Sequence, residues 1–122
     1  MKTRKRPYPY ATLEELSNTV LHHHAVDAIP FVPALMEGLD ARPWQDPREF
    51  FRFPTSRQWC EAVRRLAAEL GANPQVGQIS LEPRVQAFII YAWNEYGVGG
   101  ILAPTRGDKY MKLVQLRRAI GR

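Results

Sequence analysis

Cysteine is almost missing from this 122-residue chain, and Cys60 stands alone. One thiol closes no disulfide within the chain, so a small disulfide-stapled fold is excluded. Cys60 reads instead as a small buried hydrophobe on a helix. Long apolar runs are missing too. No segment approaches the ~18 residues of a membrane-spanning helix. The basic N-terminus is not followed by the apolar stretch of a secretory signal, so the expected location is cytoplasmic. There is no internal repeat. Gly97, Gly99 and Gly100 lack the lysine and spacing of a phosphate-binding loop, and no nucleophilic triad is visible. No cofactor is expected.

What remains fits one domain with a modest core. Hydrophobic residues make up 45% of the chain, and its formal charge is +5. That charge permits anionic partners without requiring them. One basic cluster, Lys2, Arg4, Lys5 and Arg6, opens the chain ahead of Pro7 and Pro9. Residues 1–10 read as an extended solvated arm, and residues 11–122 as a single α/β domain. The arm has no recognition helix or stacking platform beside it, so nucleic acid is not an expected partner. The second cluster, Arg117, Arg118 and Arg122, falls in the last turn of a helix, where cations complement the helix dipole.

Thr12 and Glu15 have capping-box spacing for a first helix running to about Ala28, with Leu13, Leu16, Val20 and Leu21 on one face. Phe31–Met36 reads as a short strand in which Pro33 argues for an edge or a bulge. Residues 38–54 form a loop longer than the usual 2–6 residues, a length often tied to function. Thr55 and Gln58 make a second capping box, opening a helix that stops at Gly71. Its stripe is Trp59, Val63, Leu66, Ala67 and Leu70. Residues 75–84 read as loop, and Val85–Trp93 as one buried strand, apolar on both faces. Asp108 is the expected cap of a last helix to about Ile120, with Tyr110, Leu113, Val114, Leu116 and Ile120 as its stripe. The order is α-β-α-β-α, and a connection of this length makes the two strands parallel.

The most informative segment is residues 88–104, FIIYAWNEYGVGGILAP. Trp93, Asn94, Glu95, Tyr96 and Gly97 resemble the W-N-E-[WYF]-x-E-G signature of endo-mannosidase-like and O-antigen-associated (WbsX-like) glycoside hydrolase barrels, at the end of their eighth strand. Residues 29–44, IPFVPALMEGLDARPW, resemble the family's seventh strand and its G-W-D-x-R-P-W-like turn, through Gly38, Asp40, Arg42, Pro43 and Trp44. Leu39 replaces the usual tryptophan, and Val98 stands where the family has its second glutamate. The resemblance implies an α/β fragment of a TIM-barrel-like fold, its last two strand–helix units. A closed barrel needs about 250 residues, so oligomerisation would have to complete this one.

In such barrels the strand ends carry the chemistry. The resemblance therefore makes Glu95 the leading catalytic candidate, with Asp40 as a substitute second carboxyl. Glu37, Arg42, Trp44, Trp93, Asn94 and Tyr96 become ligand-binding candidates. Glycoside hydrolysis commonly needs two carboxyl groups, and Val98 can neither donate nor accept a proton. The expectation is a non-catalytic, self-associating protein, most readily a homodimer, with a glycan as the alternative ligand. Metal is not expected. Three consecutive helical histidines, His22, His23 and His24, diverge by about 100° each, leaving only the His23–Asp27 spacing as a two-ligand pair.

Overall fold

A computed structural model of the protein describes residues 6–121. Lys2, Arg4, Lys5 and Arg122 lie outside them. The elements are helix α1 (Tyr10–His24), strand β1 (Ala34–Met36), a 3-10 turn (Arg42–Trp44), helix α2 (Ser56–Ala72), strands β2 (Gln78–Ser80), β3 (Val85–Gln86), β4 (Ile89–Tyr91), β5 (Asn94–Glu95) and β6 (Gly100–Ile101), and helix α3 (Met111–Ile120). The fold is mixed α/β, and two of its strands, β1 and β4, are parallel.

The helix starts divide local from tertiary control. At α2 both capping-box bonds form: the Gln58 N–H donates to Thr55 Oγ1 (3.2 Å), and the Thr55 N–H donates to Gln58 Oε1 (2.9 Å). Two otherwise orphaned donors are thereby satisfied. The expected Thr12–Glu15 box does not form. α1 begins at Tyr10, with Pro9 in the cap position and no side-chain cap. Tyr10 is buried, and its hydroxyl donates to the carbonyl of Met36 (3.0 Å). A tertiary anchor thus sets this helix start, and Tyr10 belongs to the core rather than to the arm. Tyr8 is pinned as well: its N–H reaches the Phe50 carbonyl (2.9 Å), and its carbonyl accepts from Arg52 (2.8 Å). Asp108 is not the cap of α3. Tyr110 holds that position, and Asp108 accepts from Lys112 Nζ at 2.8 Å.

The helix ends rest on distant glutamines. α1 closes at His24, short of Ala28, and Gln75 Nε2 donates to the Ala25 carbonyl beyond it (3.0 Å). α2 runs past Gly71 to Ala72. Gln86 Nε2 then reaches the carbonyls of Leu70, Asn73 and Val76 at 2.7–3.2 Å, satisfying acceptors that a helix end leaves open.

The single strand expected over residues 85–93 is broken into three. β3 pairs antiparallel with β2, β4 pairs parallel with β1, and β5 forms an antiparallel hairpin with β6. Gln86 turns to cap α2, and the Ala87 N–H bonds the Gly77 carbonyl (2.7 Å), which ties residues 85–87 to the β2 side. Beyond Tyr91, the Ala92 and Trp93 carbonyls accept from Leu102 and Ala103, so the chain turns away with β6. The β1–β4 register pairs Ala34 with Ile89, Leu35 with Ile90 and Met36 with Tyr91. Alternation puts Leu35 and Ile90 on one face; Leu35 is buried in the core with Trp59, Val63 and Leu66 of α2. The opposite face leaves Ala34, Ile89 and Tyr91 exposed. α2 and α3 pack closely, and the fully buried Trp59 donates its indole N–H to the Lys112 carbonyl (2.9 Å). The α3 stripe is covered only in part: Leu113 and Leu116 are half-buried, while Tyr110, Val114 and Ile120 are exposed. Ala67 of the expected α2 stripe is also exposed, and Ala62 is buried instead.

Candidate functional site

The C-terminal ends of β1 and β4 bring the two sequence motifs together. The Asp40 N–H donates to the Val98 carbonyl at 2.8 Å, joining the long loop to the β5–β6 hairpin. Gly97 lies against the Trp44 indole so closely that a Cβ there would collide with the ring. Gly38 is equally confined, with the Phe53 ring and the Gly99 carbonyl about it. Gly99 takes a φ of 77°, a conformation suited to glycine. These close approaches hold the hairpin on the Arg42–Trp44 turn. Trp44, Trp93 and Tyr96 are 72%, 55% and 59% exposed around it. Asn94 and Glu95 are exposed on β5.

The acids fall into three different settings. Asp40 is held by Arg42, whose Nε and Nη2 donate to its two oxygens at 2.8 and 2.6 Å. That pairing draws the Asp40 carboxyl below the usual carboxylate range, and the guanidinium stacks over the Phe50 ring at 3.9 Å. Glu95 faces solvent. Glu37, the residue after β1, is completely buried, and neither of its oxygens has a hydrogen bond of ordinary geometry. Burial pushes its carboxyl up from the usual 4.5 to about 7; the backbone N–H groups of Glu37 and Ala92 and the charge of Lys112 offset this only in part.

Asp40, Arg42 and Trp44 are therefore gathered with the hairpin that carries Asn94, Glu95 and Tyr96, as the sequence suggests. Glu37 is not: it points into the protein, where no external ligand reaches it. Among the described residues no hydrogen bond or ion pair joins Glu95 to Asp40 or Glu37. Two buried or supporting residues, Lys112 and Phe53, escaped the sequence reading. Lys112 is an almost fully buried lysine paired with Asp108, and its i, i+4 spacing from that acid was the available signal. Phe53 supports Gly38 and Gly99 and lies 5.8 Å from the Lys112 ammonium; nothing in the local pattern distinguished it.

The His23–Asp27 pair does not form. Asp27 instead pairs with His24 (2.6 Å), which stacks on Phe31, and His22 lies 3.6 Å from Glu69. Among the described residues no three metal-ligating side chains converge, and no helix is long and apolar enough to cross a membrane. Compared with protein-family models, curated proteins and solved structures, the chain matches none.

Proposed function

We propose that this chain binds carbohydrate without hydrolysing it, through the aromatic rim of Trp44, Trp93 and Tyr96. The observation that carries this reading is the seating of Gly97 on the Trp44 indole. It fixes one exposed ring beside a hairpin that bears the other two. Flat aromatic faces suit the apolar faces of sugar rings, and Asn94, Glu95 and the Asp40–Arg42 pair supply polar groups for hydroxyls. The resemblance to glycosidase strand ends points the same way.

Hydrolysis is not part of the proposal. Val98 occupies the position of the second glutamate, Asp40 is committed to Arg42, and Glu37 is sealed. Tryptophan fluorescence titration against a panel of neutral oligosaccharides, mannosides included, tests the reading. Saturable binding is expected, weakened about tenfold or more in Trp44→Ala, the scale on which truncation of a central contact acts. Absence of binding to every glycan, or equal binding by Trp44→Ala, Trp93→Ala and the parent, sinks it.

A second proposal concerns assembly, and the uncovered face of the β1–β4 pair favours it. Parallel strands are ordinarily covered on both faces, yet Ile89 is 55% exposed. Beside β1, an apolar hollow of about 400 Å³ is lined by Leu16, Val20, Val32 and Phe51 among others. This arrangement supports a piece of a barrel-like fold completed by a second copy of the chain. Light scattering over a concentration series should return a dimer that Ile89→Lys dissociates. A monomer at every concentration, or an unaffected dimer, removes the proposal.

A further inference from the structure

The face of the β5–β6 hairpin on which Glu95 stands follows from its register and one close contact. Glu95 pairs with Gly100 across the two strands, and residues directly opposite in an antiparallel pair point to the same face. A Cβ at Gly100 would come within 2.9 Å of the Tyr91 ring. Glycine there lets the ring lie against the β6 backbone, so the face that carries Glu95 is the face bordered by Tyr91. Tyr91 keeps 38% of its surface open, and Trp93, between the two along the chain, keeps 55%. An exposed carboxylate thus stands beside two exposed rings.

The charge of Glu95 is not used inside the protein. Among the described residues no hydrogen bond or ion pair engages its carboxylate. Two arginines of the loop joined to the hairpin are already taken, Arg42 by Asp40 at 2.6 Å and Arg48 by Asp46 at 2.8 Å. The chain as a whole carries +5, so this acid does not belong to a generally acidic surface. A free carboxylate among open rings disfavours an acidic sugar and is indifferent to a neutral one. It suits a ligand that joins an ammonium group to an apolar ring face. The negative face of an aromatic ring attracts a cation, and a carboxylate gives that cation a charge-assisted hydrogen bond.

We infer that the aromatic rim selects amino sugars over neutral and acidic ones. Glu95 holds the ammonium of the sugar, and the rings of Tyr91 and Trp93 take its apolar face. This inference rests on the carbohydrate-binding reading and narrows it to one chemical class. It gives Glu95 a selective role in place of a catalytic one and adds Tyr91 to the binding surface. Long-range repulsion between a cationic chain and a cationic ligand is screened beyond about 8 Å at physiological salt, whereas the contact with Glu95 is direct.

The experiment is titration calorimetry on the full chain at about pH 6, where the sugar amines are protonated, and ~0.15 M salt. The probes are tetramers of glucosamine, N-acetylglucosamine and glucose with the same linkage. The parent should bind the glucosamine tetramer about threefold or more tightly than either neutral tetramer, the scale of an exposed ion pair supported by a ring. In Glu95→Gln this preference should vanish, and in Glu95→Lys it should reverse.

Neutral tetramers bound as tightly as the glucosamine tetramer by the parent, or a preference that survives in Glu95→Gln, overturns the selection and leaves the carbohydrate reading standing. Absence of binding to all three also overturns it, and the carbohydrate reading is then decided by the wider panel of neutral oligosaccharides.

Discussion

Trp59 and Trp93 show how differently two regions of this molecule treat the same side chain. Trp59 sits on α2 with no exposed surface, its indole N–H bonded to the Lys112 carbonyl. Trp93 lies beyond β4 with more than half its surface open. On the core side, α2 buries Trp59, Val63 and Leu66 against Leu35 of β1. The strand ends instead keep rings in solvent and spend their close contacts on backbone: Gly97 on Trp44, Gly38 on Phe53, Asp40 on Val98. One region is organised for stability. The other is a fixed but open surface, the one on which the proposed carbohydrate binding rests.

The largest test of that contrast is truncation. Trp59→Ala should cost about 3–5 kcal/mol, by loss of transfer energy and creation of a cavity. Trp93→Ala should cost about 1 kcal/mol or less, as exposed substitutions do. Denaturant midpoints at constant m-value measure both. Similar losses for the two would break the comparison.

Next in size is pH. Glu37 has the usual carboxyl pKa when unfolded and about 7 when folded. Below the unfolded value it is protonated in both states and opposes nothing. As pH rises toward 7 the unfolded state ionises freely and the folded state does not, so stability falls across that interval and is flat above it. The limit is about 3 kcal/mol. Glu37→Gln should remove the slope. Asp40 works in the opposite sense: its depressed pKa gives stability that is lost as pH falls below the ordinary carboxylate range. Urea denaturation at intervals between about pH 2.5 and 8 checks both signs. A stability that rises through neutrality would refute the assignment.

The smallest effect sharpens the contrast between a locally and a tertiarily fixed helix start. Thr55→Ala should cost about 1 kcal/mol, the typical worth of an N-cap. Thr12→Ala should cost a few tenths at most, because Thr12 lies inside α1 and caps nothing. Equal losses would mean that the two helix starts are held alike.

These cases also mark how far the sequence could be read. The Thr55–Gln58 box was legible because both partners lie within one helical turn and need nothing else. The Thr12–Glu15 spacing looked the same, but Tyr10 gained more from the core and from the Met36 carbonyl than the box could offer. Asp108 failed as a cap because Lys112, one turn on, claimed its carboxylate. The apolar run from Val85 to Trp93 concealed three separate pairings, since Gln86 was drawn to the end of α2 and the Ala92 and Trp93 carbonyls to residues 102 and 103. The meeting of Asp40, Arg42 and Trp44 with the hairpin was foreseen from two parallel strands whose C-terminal ends lie side by side. That Glu37 would turn inward was not, because nothing in its neighbours distinguishes a buried glutamate from an exposed one.

By itself the sequence determined the three helices, the parallel pairing of two short strands, the exclusion of a disulfide within the chain, and the gathering of polar and aromatic residues at the strand ends. Those follow from periodicity, capping chemistry and residue counts, which act over a few residues or over the whole composition. Only the tertiary structure decided which tryptophan is buried, where the helices begin and end, and which carboxylate is paired, exposed or sealed. Each of those outcomes is a competition for the same donors, acceptors and buried volume among residues far apart in the chain, and it is settled only when they pack together.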